Sequence, residues 1–199
     1  GRTEHFSFIV MEYIQGANLN DYFHKKIYGI EEMFVIMQAC CAGIEAIHKK
    51  NIIHRDVKPA NFIIDREGQV KAVDMGVSVM NAQTGLDDDI CGTLGYLPPE
   101  IIQTHSQNKQ GDIYALGVVF AQAIVYRNPF LVGHVSEIAA KAKPPLTFNV
   151  LDQAILPEKT IELIRKLTAF DPQQRFQTID EVVPALRAIK FEPKHKELC

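Results

Sequence analysis

Two short sequence strings, thirteen residues apart, constrain this 199-residue chain more than any other feature. Residues 54–61 read His-Arg-Asp-Val-Lys-Pro-Ala-Asn, and residues 74–76 read Asp-Met-Gly. The first string supplies a candidate base, a cation and an amide oxygen, and the second supplies a carboxylate followed by a glycine at which the backbone can turn. Amide and carboxylate oxygens suit Mg²⁺, and a base beside a cation suits a reaction that places charge on phosphate oxygens. Together the strings predict phosphoryl-transfer chemistry.

The spacing of these residues resembles that of the eukaryotic-type protein kinases. Asp56 precedes Asn61 by five residues, and Asn61 precedes Asp74 by thirteen. The first string resembles the kinase catalytic loop, and the second resembles the Asp-Phe-Gly motif with Met75 in the place of Phe. Two further matches follow at Gly92-Thr93 and Pro98-Pro99-Glu100. One His-Arg-Asp alone would be weak evidence, whereas this series in register is specific.

Composition sets broad limits on fold and partners. A chain of 199 residues with 47% hydrophobic residues predicts one domain with an ample core. The net charge of -3 gives no electrostatic reason to expect nucleic acid or an anionic membrane as a partner. The longest apolar run, 114–126, is too short to span a bilayer, and no signal peptide is visible. Four cysteines without a C-x-x-C pair indicate a reduced, cytoplasmic protein.

Hydrophobic periodicity predicts an α+β fold that is mainly α-helical. Strands are expected at 6–13, 52–53, 62–65 and 70–73, and helices at 18–24, 30–49, 112–126, 137–142, 158–168 and 179–189. Gly16 is expected to end the first strand, and Thr178 with Glu181 predicts a capping box. The layout resembles the C-terminal lobe of a protein kinase, with short β-hairpins around the catalytic loop. Residues 1–191 would form that lobe, and 192–199 a charged tail.

The resemblance implies that residues near the start of the chain bind the adenine of ATP. Met11 would be the gatekeeper, and Glu12, Tyr13 and Ile14 the hinge, together with Leu19 and Ile63. The small N-terminal lobe of a kinase, with its Gly-rich loop, lysine and glutamate, has no counterpart here. A fragment of a longer kinase is therefore favoured over a natural lobe-only protein. We expect the strand at 6–13 to be covered by that lobe or a partner, or else to self-associate.

The catalytic residues implied by the resemblance lie within the two strings and the segment that follows. Asp56 would accept or steer the proton of a protein substrate's hydroxyl, and Lys58 would offset the developing charge. Asn61 and Asp74 would hold Mg²⁺, and Thr93 would bond to the base and the cation. Taken singly, each has an ordinary alternative as a capping, turn or surface residue. Lysine at 58 and threonine at 93 follow the pattern of serine/threonine kinases.

Four further residues are expected to support the site without touching substrate. His54 would pack its ring in the core and bond nearby backbone. Asp112 would accept hydrogen bonds from the backbone of the catalytic loop. Glu100 and Arg175 would form a buried ion pair, of the kind that is costly to break from one side.

Regulation is suggested by an arginine and an acidic run. Arg55 occupies the position at which regulated kinases read the charge of the activation segment, usually a phosphate. Asp89 ends a triple aspartate three residues before Gly92, where many kinases carry a phosphorylated Ser or Thr. Asp89, helped by its neighbours, would supply that charge to Arg55 without phosphorylation, although a solvated acidic loop is an equal alternative. Ser78 and Thr84 remain candidate phosphorylation sites.

Three functions remain open from the sequence. A serine/threonine protein kinase is the leading one, with this chain alone expected to be inactive. A pseudokinase-like binding or scaffold module is the alternative, disfavoured because Asp56, Asn61 and Asp74 are all present. A kinase-like phosphotransferase acting on small molecules is disfavoured by Arg55 and by the segment 92–100.

Overall fold

The computed structural model describes residues 1–4, 6, 8, 10–25, 28–74, 93–101, 108–125 and 156–191. In chain order these ranges contain β1 (Gly16–Asn18), α1 (Leu19–Lys25), α2 (Ile30–Lys49), β2 (Phe62–Asp65), β3 (Val70–Ala72), α3 (Lys109–Val125), α4 (Glu158–Leu167) and α5 (Ile179–Arg187). The mainly helical α+β composition agrees with the prediction.

Helices α2 and α3 form the centre of the core. The buried residues of α2 recur every three or four positions, so one stripe of the helix faces inward. Helix α3 is enclosed over most of its length, because residues 111–123 are all buried. The rings of Phe34 and Phe120 meet edge to face, with their centroids 4.9 Å apart. This contact joins the two helices in the geometry that aromatic pairs prefer.

Helices α4 and α5 pack against this pair and complete the core. Helix α4 packs against α3, and α5 packs against α2. Arg187 near the end of α5 donates from Nε to Gln38 Oε1 of α2 at 3.2 Å. Burial of Ile179, Val182 and Leu186 at helical spacing explains why the short α5 is stable despite the internal Pro184.

The three strands form one antiparallel sheet in the order β1-β2-β3. Ala17 pairs with Ile64, and Ile63 pairs with Lys71. The turn between β2 and β3 is closed by Asp65, whose Oδ1 accepts hydrogen bonds from the amides of Glu67 and Gln69 at 3.1 and 2.8 Å. Since β2 follows directly after residue 61, the sheet fixes the exit of the predicted catalytic loop.

The prediction of a strand at 6–13 is wrong for the residues that the structure describes there. Residues 6, 8 and 10–13 lie outside any strand, and the strand β1 begins at Gly16, which was expected to end one. A strand needs a neighbour for its backbone hydrogen bonds. Here the amide of Phe8 instead donates to the carbonyl of Gly1 at 2.9 Å, and that of Thr3 to the carbonyl of Phe6 at 2.7 Å.

The strand expected at 52–53 is also absent, because the backbone N–H groups of residues 51 and 52 bond to carbonyls in the last turn of helix α2. Asn51 has a left-handed φ of 58°, and its N–H donates to the His48 carbonyl at 3.0 Å. The N–H of Ile52 donates to the Ile47 carbonyl at 3.3 Å. This is the Schellman arrangement, with asparagine in the place usually taken by glycine.

The predicted helices at 30–49, 158–168 and 179–189 are confirmed to within two residues, and the helix predicted at 112–126 begins three residues earlier. The prediction of a capping box is wrong. In the described structure the Thr178 side chain makes no capping hydrogen bond, and the Glu181 carboxylate accepts a hydrogen bond from the backbone N–H of Gln177 at 3.2 Å. The helix predicted at 137–142 and the tail 192–199 lie outside the described residues.

Within the described ranges, no helix combines the length and the apolar character needed to cross a membrane. The buried thiols Cys40 and Cys41 on α2 are free. Burial raises the pKa of Cys41 to about 12, so this thiol stays protonated and unreactive in the folded chain.

Gly117 permits the close approach of α3 and α4, and its replacement tests that packing. A Cβ at this position would lie 2.6 Å from Leu167 Cβ and 2.7 Å from Thr168 Cγ2. Overpacking of this kind costs about 1–3 kcal/mol, against a gain of about 1 kcal/mol in helix propensity. We expect Gly117→Ala to lower the free energy of unfolding, as measured by urea denaturation.

Gly29→Ala is the matched control, because a Cβ there meets nothing within 4 Å. Its effect should stay below about 1 kcal/mol. A Gly117→Ala chain as stable as the wild type would contradict the close packing of α3 against α4.

Candidate active site

The backbone of the 54–61 segment is held by the buried carboxylate of Asp112. The N–H of His54 donates to Asp112 Oδ2 at 2.8 Å, and the N–H of Arg55 donates to Oδ1 at 2.9 Å. Arg55 has a φ of 68°, a left-handed conformation that costs energy in a residue with a side chain. Asp112 is 1% exposed and lies in the first turn of α3. Helix α3 therefore sets the conformation of the segment that carries Asp56.

The carboxylate of Asp56 is the centre of a compact polar network. Lys58 Nζ lies 2.7 Å from Asp56 Oδ2 and donates to Thr93 Oγ1 at 2.9 Å. Thr93 Oγ1 in turn donates to Asp56 Oδ1 at 3.1 Å. The side chains of Asp56 and Lys58 are 15% and 26% exposed, so both can be reached from solvent. This triangle places a carboxylate, a cation and a hydroxyl at one point on the surface.

Asn61 joins the same network through two hydrogen bonds donated by its side-chain amide nitrogen. Its Nδ2 donates to the backbone carbonyl of Asp56 at 2.8 Å and to Asp56 Oδ2 at 3.0 Å. Because the amide nitrogen points at Asp56, the amide oxygen Oδ1 is the atom that remains to act as a metal ligand. Asn61 is 5% exposed, which keeps this orientation fixed.

Backbone contacts bring Asp74 next to Asn61. The N–H of Val73, one residue before Asp74, donates to the carbonyl of Asn61 at 2.9 Å. The fully buried His54 ring contributes a second contact, with Nε2 3.2 Å from the Val73 carbonyl. Asp74 is exposed and has a φ of 60°. The predicted ligand pair therefore joins an amide oxygen to an exposed carboxylate, a donor set that suits Mg²⁺.

Two protein ligands form a small donor set, as is usual where Mg²⁺ also binds phosphate groups. In the part of the chain that is described, no group of three or more His, Cys, Asp or Glu side chains is arranged to hold a metal. Mg²⁺ is commonly bound through one or two protein ligands, with phosphate oxygens and water completing its shell. Asn61 and Asp74 fit that pattern.

The predicted pair of Glu100 and Arg175 is present as a bidentate contact. Arg175 Nη1 and Nη2 lie 2.7 Å from Glu100 Oε1 and Oε2. The remaining donors of the guanidinium reach backbone carbonyls: Nε that of Ala169 at 2.7 Å, Nη1 that of Gln110 at 3.2 Å and Nη2 that of Phe170 at 3.1 Å. The Arg175 side chain has no exposed surface. All five guanidinium donors are thus used, which is the condition for a stable buried pair.

The residues expected at the adenine are only partly brought together. Met11 and Tyr13 are 68% and 88% exposed. Glu12 pairs with Lys71 Nζ of β3 at 2.7 Å, and this hydrogen bond raises the pKa of Lys71. Ile63 is half-buried on β2. Ile14 is half-buried as well, whereas Leu19 has no exposed surface and offers nothing to a ligand in this conformation.

Several predicted residues lie outside the described ranges. These are Met75, Ser78, Thr84, Asp89 and Gly92. Within the described structure, Arg55 Nε is buried and has no hydrogen-bond partner.

Comparison with known proteins decides the family. The family model described as the protein kinase domain matches residues 2–185. The chain belongs to the protein kinase family. The match does not divide the domain into lobes, so the restriction of this kinase chain to one lobe stays a proposal.

Curated relatives of this kinase chain are much longer than it is. A probable serine/threonine-protein kinase of Clostridium perfringens is 31% identical over 97% of the chain and 29% of that protein. The serine/threonine-protein kinase PrkC of Bacillus subtilis is 31% identical over 92% of the chain and 29% of its own length. A serine/threonine-protein kinase of Arabidopsis thaliana is 29% identical, over 92% of the chain and 32% of that protein. The chain thus spans less than a third of each of these three relatives.

Two contacts of the kinase site were not found by sequence reasoning. His48 Nε2 lies 2.7 Å from Asp112 Oδ2, and neither the motifs nor their spacing point to His48. Tyr96 donates from its hydroxyl to Gln122 Oε1 at 2.5 Å beside the segment that follows Thr93. Neither pair has a local sequence signal, because its partners are 64 and 26 residues apart.

Glu100→Gln tests the ion pair that anchors the segment after Thr93. Removing the carboxylate charge leaves the guanidinium of Arg175 buried without its counter-charge. Breaking a buried pair from one side costs about 3–5 kcal/mol, and we expect a loss near the lower figure because glutamine still accepts one hydrogen bond. Thermal and urea unfolding of the chain measure the effect.

Asp21→Asn supplies the surface comparison. Asp21 pairs with Lys25 at 3.5 Å, and the two side chains are 47% and 75% exposed. Loss of such a pair should change stability by about 0.5 kcal/mol or less. Equal effects of the two variants would show that the buried pair contributes no more than a surface one.

Proposed function

We propose that this chain is the catalytic C-terminal lobe of a serine/threonine protein kinase, which transfers the γ-phosphoryl group of ATP to a hydroxyl of a protein. The observation that carries the proposal is the network of Asp56, Lys58 and Thr93, with Asn61 attached to it. Membership of the kinase family and the similarity to serine/threonine-protein kinases of Clostridium perfringens and Bacillus subtilis support the same function.

Each residue of the network has a role that follows from its contacts. Asp56 accepts the proton as the substrate oxygen bonds to the γ-phosphorus and the bond to the β,γ-bridging oxygen breaks, releasing ADP. Lys58, 2.7 Å from Asp56, offsets negative charge near the transferred group. Thr93 bonds both residues and fixes their side chains relative to each other. Mg²⁺, when bound, neutralises charge on the phosphate oxygens, and Asn61 with Asp74 would hold it.

A second lobe is part of this proposal. The Gly-rich loop, lysine and glutamate of a complete kinase site have no counterpart among these residues. Phe6, Val10, Met11 and Tyr13 are 71%, 84%, 68% and 88% exposed, a degree of exposure that favours a covering partner. The N-terminal lobe would cover this segment and complete the adenine site. An intracellular location fits the free thiols Cys40 and Cys41.

Asp56→Asn in the natural full-length polypeptide tests the function. Removing the base while keeping the size of the side chain should lower kcat by about 10²–10⁴-fold, because that is the usual contribution of acid–base catalysis. Phosphoryl transfer from ATP to a serine or threonine peptide, with Mg²⁺ present, is the measurement. Asp21→Asn changes an exposed surface pair outside the hydrogen-bond network and should leave kcat unchanged.

The same assay separates the alternatives. Full-length protein that binds partners but transfers no phosphoryl group would favour the pseudokinase-like scaffold. The chain of residues 1–199 alone should transfer none, and its exposed segment should cause self-association in sedimentation experiments. Turnover by this chain alone would refute the requirement for a second lobe.

Arg55 supports a further part of the proposal, namely control by charge in the activation segment. Its buried Nε, without a partner in the described part of the chain, is suited to an anionic group. Asp89 would supply that group without phosphorylation. Asp89→Ala in the full-length kinase is expected to lower kcat about tenfold, in a peptide assay, with Asp87→Ala as the neighbouring control. Equal activity of both variants and the wild type would exclude this role.

A further inference from the structure

The three-stranded sheet has one face that does not pack on the core. Ile64 and Val70 are cross-strand partners, and both pack against the core. Side chains alternate between the two faces of a strand, so Ile63 and its cross-strand partner Lys71 lie on the opposite, open face. Both of these side chains are half-buried. The residue expected beneath the adenine, Ile63, therefore has a lysine as its direct neighbour.

Lys71 reaches from this open face to residues 12–14, the hinge segment. Its Nζ lies 2.7 Å from Glu12 Oε1, and the Lys71 and Glu12 side chains are 38% and 69% exposed. In the described structure, no other side-chain hydrogen bond or ion pair is made by residues 10–15. The chain is next fixed at Gly16, where β1 begins. The position of the hinge segment relative to the sheet therefore depends on the contact of Glu12 with Lys71.

The charges around Lys71 keep its ammonium available for this contact. The hydrogen bond to Glu12 raises the pKa of Lys71, against a partial desolvation that lowers it. The carboxylates of Asp65 and Glu67, at the turn between β2 and β3, raise this pKa further. Lys71 is therefore charged at neutral pH, and its attraction to Glu12 is electrostatic.

The backbone of the hinge segment is available to a ligand. Within the described structure, the N–H and C=O groups of residues 12–14 make no hydrogen bond to the protein. Adenine carries a donor and an acceptor at its edge, which suit exposed peptide groups, and Ile63 offers an apolar surface to its plane. A base can use both only if the hinge segment lies at the right distance from Ile63. The contact of Glu12 with Lys71 controls that distance.

We propose that Lys71 is a positioning residue for the adenine of ATP. Its ammonium holds the Glu12 carboxylate and thereby sets the hinge segment against the open face of the sheet, beside Ile63. The inference rests on the proposed kinase function. It gives β3, which carries none of the candidate catalytic or metal-binding residues, a part in nucleotide affinity.

Reversal of the lysine charge in the full-length kinase is the first test. Lys71→Glu places two carboxylates together, so repulsion replaces an attraction that is worth a few-fold in an equilibrium constant for an exposed pair. We expect the KM for ATP to rise about five- to tenfold. The kcat should stay within about twofold, because neither member of the pair belongs to the hydrogen-bond network of Asp56. Glu12→Lys should have the same effect, and Lys71→Arg, which keeps the charge, should match the wild type.

The double variant with Glu12→Lys and Lys71→Glu restores an ion pair with its charges exchanged. Its KM for ATP should return to within about twofold of the wild-type value. The two single variants change the net charge in opposite directions, so a rise of KM in both does not come from the charge of the triphosphate. A KM in the double variant as high as in the single variants would overturn the inference. Unchanged KM values in both single variants would overturn it as well.

Lys25→Glu is the matched control, because it reverses another exposed lysine and changes the net charge equally. Lys25 pairs with Asp21 at 3.5 Å on α1, outside the sheet and the hinge segment. Both its KM for ATP and its kcat should stay within about twofold of the wild type. A rise of KM equal to that of Lys71→Glu would refute the specific role of Lys71.

Binding of adenosine to the full-length protein supplies a readout without turnover. Adenosine is uncharged, so salt and charge substitutions act on the ion pair rather than on the ligand. Calorimetry should give a Kd about five- to tenfold higher for Lys71→Glu, and near the wild-type value for the double variant. Raising the salt concentration from about 0.05 to about 0.5 M should raise the wild-type Kd but not that of Lys71→Met, because salt screens an exposed pair.

The binding experiment also separates this inference from the proposed function. Equal Kd values in the wild type and all variants, or no adenosine binding by the wild type, would contradict the positioning role. If the wild type binds adenosine but transfers no phosphoryl group, the proposed function fails. The Kd values then still decide whether Lys71 positions the hinge segment.

Discussion

The carboxylate of Asp112 accepts the hydrogen bonds on which the candidate site depends. Two backbone amides of the catalytic loop and the imidazole of His48 converge on it in a buried environment. A charge in such a place is stable only with these partners, and the loop in turn keeps the left-handed Arg55 only with the carboxylate. The two requirements reinforce each other, so helix and loop form a single rigid unit.

The first turn of α3 extends this unit to the rest of the domain. Lys109 binds the end of α2, the carbonyl of Gln110 accepts from Arg175, and Asp112 binds the catalytic loop. Three parts of the chain are thereby fixed by one turn of a buried helix. The Arg175–Glu100 pair continues the connection to the segment after Thr93, whose hydroxyl contacts Asp56. The network around Asp56 is consequently supported from two directions.

The sequence predicts best what local patterns determine. The helix at 30–49 was predicted with its observed bounds, because its apolar residues recur at helical spacing over twenty positions. The strand predictions at 6–13, for the residues that the structure describes there, and at 52–53 were wrong. Strand formation depends on a partner, and the N–H of Ile52 is used to close α2. The candidate catalytic residues were predicted from motif spacing, whereas the contact of His48 with Asp112 was not predicted, since periodicity gives the face of a helix but not the group that it meets.

The contacts that shape the site join residues distant in sequence, and this affects the order in which the molecule can form. His54 and Asp112 are 58 residues apart, and Glu100 and Arg175 are 75 apart. Closing such long loops costs chain entropy that only the docking of α3 and its neighbours can offset. Helix α2 and the hairpin of β2 and β3 can begin to form from local contacts alone. We expect the geometry of the candidate site to form only when these distant elements have docked, and its appearance would report completion of the packed core rather than of any one element.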